Sequence, residues 1–80
     1  MIYTNSEEIV FEGIVIGYEE LENIGKVLYL TGRINNTDCF FYLKVSKNMY
    51  EEYVLKGIGR LISGRGLIIS RNPLIVEYEE

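Results

Sequence analysis

Histidine and tryptophan are absent from the 80 residues, and cysteine and proline each occur once. Without histidine and with a single cysteine, most nucleophile–base pairs and the nitrogen or sulfur ligand sets of zinc are excluded. Acidic pairs such as Glu19-Glu20 and Glu51-Glu52 remain, but they lie at the ends of predicted elements, where charged side chains are solvated. We therefore expect a protein that is not an enzyme and that binds neither a metal nor a cofactor.

Long hydrophobic runs are also missing. Stretches such as Ile14 to Ile16 and Leu67 to Ile69 are far shorter than the roughly 20 residues that span a bilayer, so no membrane segment is expected. Met1 to Glu8 has neither a basic start nor a small-residue cleavage site, and Cys39 cannot form an internal disulfide. A cytoplasmic location is therefore predicted. The length and the 48% of hydrophobic residues predict one compact domain, residues 1–80.

The net charge of −4 is distributed unevenly along the chain. Residues 1–22 contain six acids and no base, and residues 73–80 contain three acids and no base. Residues 23–72 contain all eight bases and only three acids. This segregation has two interpretations, which are chance clustering on a small protein and a basic surface on an otherwise acidic domain.

Seven tyrosines, three phenylalanines and many valines and isoleucines favour strands over helices. Gly13 and Gly17 occur where a long first strand can kink or bulge, and Glu19 to Gly25 is expected to form an acidic loop. Ser46 is a candidate N-cap for the only predicted helix, and Gly57 suits the position after its end. The predicted elements are strands over Glu8–Tyr18, Lys26–Asn35 and Cys39–Val45, a helix over Lys47–Leu55, and strands over Ile58–Ser70 and Leu74–Tyr78.

Alternation in the second and third strands predicts which side chains enter the core. The turn-forming residues Asn35 to Asp38 join these strands as a hairpin. The inward residues are predicted to be Leu28, Leu30, Ile34, Phe41, Leu43 and Val45, and the outward ones Tyr29, Thr31, Arg33, Phe40, Tyr42 and Lys44. Three strands, a short helix and two strands are the order of the five-stranded OB barrel, an all-β fold with one small helix.

Three segments, Phe40 to Lys47, Glu51 to Gly57 and Arg60 to Arg65, resemble the bacterial single-stranded DNA-binding protein family. That family has an aromatic third strand, a short helix ending in Leu-Lys-Lys-Gly or similar, and a fourth strand that closes on a Gly-Arg or Gly-Gln pair. The pattern is also similar to the smaller primosomal replication protein N. The resemblance implies an OB fold, single-stranded DNA as ligand, and a homodimer or homotetramer.

The resemblance also implies two more specific expectations, on the DNA footprint and on the DNA-binding face. Arg71-Asn72-Pro73 is far shorter than the long loop that wraps DNA in these families, which predicts a reduced footprint. The family pattern places Cys39, Phe41, Leu43 and Val45 on the DNA face, whereas alternation places Phe40, Tyr42 and Lys44 there. Alternation is preferred, because the other register would bury Lys44 and expose an apolar row, although a bulge in the third strand would reverse part of it.

Sequence-independent binding of a single strand requires aromatic side chains that stack on bases and cations that follow the phosphates. The candidate stacking residues are Tyr29, Phe40 and Tyr42; Arg33 and Lys44 share their face, and Lys26, Lys47, Arg60, Arg65 and Arg71 extend the path. The sequence thus predicts a single-stranded DNA-binding OB domain acting in replication, recombination or repair, with RNA as a less favoured ligand. The alternative is an OB-like protein-interaction or assembly module, in which the aromatics contact another protein, a second copy or a second core.

Overall fold

The computed structural model describes residues 7–79, so most of the segment used to look for a secretory signal lies outside the described residues. Five strands form a closed barrel in the order β1-β2-β3-β5-β4. The elements are β1 (Glu7–Leu21), β2 (Gly25–Ile34), β3 (Thr37–Lys44), α1 (Lys47–Lys56), β4 (Leu61–Arg71) and β5 (Leu74–Tyr78). The predicted five-stranded barrel with a short helix between its third and fourth strands is confirmed. Within residues 7–79, no helix is long and apolar enough to cross a membrane.

Strand β1 is long because it pairs with two neighbours. Its first half pairs with β4 and most of its length pairs with β2, and the register with β2 shifts between Val15 and Gly17. The expected irregularity at Gly17 is confirmed. The prediction of a loop over Glu19 to Gly25 was wrong, because β1 continues to Leu21 and Glu20 pairs with Lys26. β1 and β4 each have a neighbouring strand on both sides.

The hairpin of β2 and β3 turns on two residues, Asn35 and Asn36, both with positive φ (49° and 71°). Asparagine tolerates this left-handed region, and two such residues form a turn whose twist matches that of the flanking strands. The Asn35 N–H donates to the Val10 carbonyl (2.8 Å), and the Val10 N–H donates to Asn35 Oδ1 (3.0 Å). The turn is thereby fixed to β1. It is shorter than predicted, and β3 begins at Thr37 instead of Cys39.

The barrel interior contains the residues that alternation predicted. Phe11 meets Phe41 and Tyr78 edge to face, with ring centroids 5.9 and 5.7 Å apart. Each fully buried side chain of this size stabilises the fold by about 1.5–3 kcal/mol. The main core cluster consists of Ile9, Phe11, Val15, Leu28, Leu30, Ile34, Phe41, Leu43, Val45, Ile62 and Val76. The buried side chains of Phe41 and Leu43 exclude the alternative register for these positions.

Helix α1 begins and ends as predicted to within one residue. Ser46 Oγ accepts a hydrogen bond from the Met49 N–H (3.2 Å), and Gly57, at φ 87°, donates its N–H to the Tyr53 carbonyl (3.1 Å). Met49, Tyr50 and Tyr53 pack against the core. The helix therefore covers one end of the barrel.

Strand β4 begins and ends later than predicted, at Leu61 instead of Ile58 and at Arg71 instead of Ser70. Before it, the Gly59 N–H donates to the Val15 carbonyl (2.8 Å) and the Val15 N–H donates to the Arg60 carbonyl (2.9 Å). These bonds hold the segment against β1 without regular pairing. The predicted three-residue turn is reduced to Asn72 and Pro73.

Strands β1 and β2 approach very closely at Gly32. A Cβ added to Gly32 would overlap the Glu12 carbonyl oxygen and lie 2.5 Å from the Gly13 Cα, both of them backbone atoms. A Cβ added to Gly17 would meet only the Tyr29 Cβ, at an ordinary 3.9 Å. The two positions therefore differ sharply in their tolerance of a methyl group.

We expect Gly32→Ala to lower the free energy of unfolding by about 2 kcal/mol or more, because the strands must move apart to admit the methyl group. Gly17→Ala is the matched control and should change it by less than about 1 kcal/mol. Urea denaturation monitored by circular dichroism measures both values. Equal stability of the two variants would contradict the close approach at Gly32.

Candidate nucleic-acid interface

Three aromatic rings lie together on the outward face of the β2–β3 hairpin, the face that points away from the barrel interior. Tyr29 stacks on Phe40 with centroids 6.0 Å apart and an interplanar angle of 24°. Tyr29 and Tyr42 are 4.8 Å apart and inclined at 39°. We call Tyr29, Phe40 and Tyr42 the aromatic platform.

The pairing of the strands explains this arrangement. Tyr29 lies directly opposite Tyr42, and Phe40 lies opposite Thr31, which places the three rings on neighbouring positions of one face. On the other side of Tyr29 the partner in β1 is Gly17, which has no side chain to cover the ring. Phe40 is 60% exposed, whereas Tyr29 and Tyr42 are half-buried. Phe40 therefore offers the most accessible ring surface.

The hydroxyl of Tyr42 donates to Glu19 Oε2 at 3.3 Å. Partial burial raises the pKa of the Tyr42 hydroxyl, and the neighbouring Glu19 carboxylate raises it further. The phenol therefore stays protonated and remains a donor at neutral pH. Glu19 was not recognised in the sequence, because it reaches the platform only through the register of β1 with β2 and of β2 with β3.

Three of the predicted cations are paired with carboxylates. Lys26 Nζ lies 3.4 Å from Glu20, and Lys44 Nζ lies 3.9 Å from Glu77. Arg33 contacts Asp38 at 3.2 Å and Glu12 at 3.9 Å. Carboxylates from the acidic ends of the chain thus pair with cations from its basic middle. Of the two interpretations of the charge pattern, an uninterrupted basic surface is not supported at these three cations, since each has a carboxylate partner.

The other predicted cations lie further along the barrel. Arg65 and Arg33 line one shallow depression of about 740 Å³ across β1, together with Glu12. Lys47 begins α1, Arg60 precedes β4 and Arg71 ends β4. Among the described residues, Lys47, Arg60 and Arg65 have no carboxylate within 4.0 Å. The geometry brings Arg33 and Lys44 beside the platform and Arg65 beside Arg33.

Exposed apolar side chains continue from the platform onto β1 and β4. Thr31 pairs with Phe40 on one side and with Ile14 on the other, and Ile14 pairs with Leu61. Ile14 is 43% exposed and Leu61 is 67% exposed. We call Ile14 and Leu61 the apolar extension. Sequence alternation did not identify it, because the face of β1 and the partner of Leu61 depend on the bulge and on barrel closure.

The single cysteine makes a structural contribution. Cys39 packs against the core, and burial raises the pKa of its thiol above the ordinary value. The thiol is therefore neutral at physiological pH and behaves as a small apolar side chain. No group of three or more potential ligands within residues 7–79 is arranged to hold a metal ion.

Comparison with known proteins supports the fold. The chain is similar to the crystal structure of a small single-stranded DNA-binding protein from Streptomyces coelicolor, with a TM-score of 0.54 and 19% sequence identity. The alignment covers 96% of this chain and 89% of that protein. The chain has the OB fold. No family model matches its sequence, and no curated protein does so either.

Proposed function

We propose that this protein binds single-stranded DNA without catalysis, by stacking unpaired bases on the aromatic platform. The carrying observation is the row of Tyr29, Phe40 and Tyr42 on the outward face of β2 and β3, in which Phe40 is exposed. This is the face on which OB domains hold oligonucleotides, and each stacked base contributes about 1–3 kcal/mol. The structural neighbour that shares the fold is itself a single-stranded DNA-binding protein.

The proposed binding suits a role in replication, recombination or repair. Transient single strands arise in replication, recombination and repair, and a sequence-independent binder serves any of these processes. The turn of Asn72 and Pro73 is too short to wrap a strand, which favours a small footprint on each subunit.

A protein-interaction module is the second candidate. It is favoured by the carboxylates that pair with Lys26, Arg33 and Lys44, and by the apolar extension next to the platform. An acidic surface with exposed apolar side chains suits a protein partner better than a polyanion. The two candidates differ in their response to an oligonucleotide.

We expect a labelled oligothymidine of about 30 nucleotides, longer than the site of one OB domain, to bind at low salt, while a duplex of equal length does not. Phe40→Ala should weaken this binding about tenfold, because the most exposed stacking surface is lost. The thermal stability should change little, since the Phe40 ring is mostly in solvent. Fluorescence anisotropy and a thermal melt provide the two readouts.

Leu55→Ala is the matched control, because Leu55 is an 86% exposed apolar residue on α1 that does not belong to the platform. It should bind oligothymidine like the unmodified protein. An absence of binding to any single strand at low salt would exclude the proposed function and favour the protein-interaction module. Unchanged binding by Phe40→Ala would show that the ligand lies elsewhere.

We further propose that the protein acts as a homodimer or homotetramer in which a second copy covers the apolar extension. Ile14 and Leu61 lie on adjacent strands, and exposed apolar neighbours of this kind are typical of subunit contacts. Pairing of subunits would also join two platforms into a longer path for a single strand.

Leu61→Glu should convert the oligomer into a folded monomer, because a charge at the centre of an apolar contact remains unpaired. Leu55→Glu introduces the same charge on α1 and should leave the oligomer intact. Sedimentation equilibrium gives the mass of each variant, and circular dichroism reports its folding. A monomeric unmodified protein at high concentration would contradict the oligomer, as would a Leu61→Glu variant with unchanged mass.

A further inference from the structure

The charges around the aromatic platform are unusual for a surface that binds a polyanion. Two cations, Arg33 and Lys44, lie beside it, and each has a carboxylate oxygen within 4.0 Å. Four carboxylates lie at the same face, because Glu19 also accepts a hydrogen bond from the Tyr42 hydroxyl. They are Glu12, Glu19, Asp38 and Glu77. The platform therefore has more negative than positive charge around it.

A phosphate that approaches this surface gains little from the two cations. Each cation is already partly neutralised by a carboxylate within 4.0 Å, and that carboxylate repels a phosphate that contacts the same ammonium or guanidinium group. The pairs are at least one-third exposed, so solvent also weakens the attraction of each cation for a phosphate. Neutralisation of the backbone is thus a minor source of affinity here.

Base stacking has no comparable competitor. The ring of Phe40 is mostly in solvent, and Gly17 leaves one side of Tyr29 free of a side chain. Stacking does not require the carboxylates to move, and it adds nothing to the salt dependence, which arises from counterions released at phosphates. Base stacking therefore contributes more to the affinity, relative to phosphate contacts, than it would at a site with free cations.

We propose that this site recognises the bases of a short unpaired segment and holds at most one phosphate, while its carboxylates screen the cations and reject duplex DNA. The inference rests on the proposed function and specifies how the same site selects its ligand. A duplex presents phosphates but no accessible base faces, so it meets only the acidic border. Binding strength then depends on how many bases are unstacked and available.

The salt dependence of oligothymidine binding tests this selection. For a single strand, log K falls against log salt with a slope of about −0.7 for each phosphate neutralised, so two free cations would give a slope near −1.4. We expect a slope between zero and about −0.7, which corresponds to one phosphate or none. An abasic strand of the same length has the phosphates without the bases. It should bind at least about tenfold more weakly than oligothymidine, because the stacking is lost.

Removal of a screening carboxylate should add a phosphate contact. Asp38→Asn removes one of the two carboxylates that pair with Arg33, and Glu77→Gln removes the carboxylate that pairs with Lys44. Each variant should bind oligothymidine about threefold more tightly at low salt, with a steeper slope, since one cation becomes available to the backbone. Glu51→Gln is the matched control, because Glu51 is an exposed residue of α1 and its substitution changes the net charge equally. It should leave both affinity and slope almost unchanged.

The outcomes separate this inference from the proposed function. A slope of about −1.4 or steeper with strong binding of the abasic strand would keep the single-strand function but overturn recognition through bases. An equal effect of Glu51→Gln and Asp38→Asn would also overturn it, because net charge rather than the local screen would then control binding. If oligothymidine does not bind at any salt, the proposed function is wrong and this inference is overturned with it.

Discussion

The turn at Asn35 and Asn36 fixes the register on which the rest of this structure depends. Its two residues pair Ile34 with Thr37, and each step back from the turn sends one pair of side chains inward and the next pair outward. A slip of one residue would expose Phe41 and Leu43 and bury Tyr42 and Lys44. The two reciprocal hydrogen bonds between Asn35 and Val10 add β1 to the same constraint. One short turn thus determines both the core and the aromatic platform.

The barrel also explains why charge along the chain differs from charge on the surface. Glu12 and Glu20 belong to an acidic segment at the start of the sequence, and Glu77 belongs to an acidic segment at its end. The pairing of β1 with β2 and of β5 with β3 places these residues beside Arg33, Lys26 and Lys44. Opposite charges on neighbouring strands then pair. Cations from the basic middle of the sequence therefore lie beside carboxylates on the folded surface.

The sequence predicted what depends on local pattern. Alternation in β2 and β3 identified the inward and outward residues, and Ser46 and Gly57 marked the limits of α1 because capping is a local interaction. The sequence did not predict that β1 continues through Glu19 and Glu20. A run of acidic residues is typical of a loop, and the pairing of these two residues with β2 has no local signal. Contacts between distant residues, such as Glu19 with Tyr42, follow from long-range register, which has no local signature.

The aromatic platform and its acidic border give one account of the site, in which unpaired bases stack on Tyr29, Phe40 and Tyr42. The most direct test is a titration of isotope-labelled protein with oligothymidine, followed by nuclear magnetic resonance of the backbone amides. The account predicts that the largest shifts occur at these three residues and at Gly17, while α1 is almost unaffected. Shifts that are absent, or confined to α1 and the apolar extension, would contradict it.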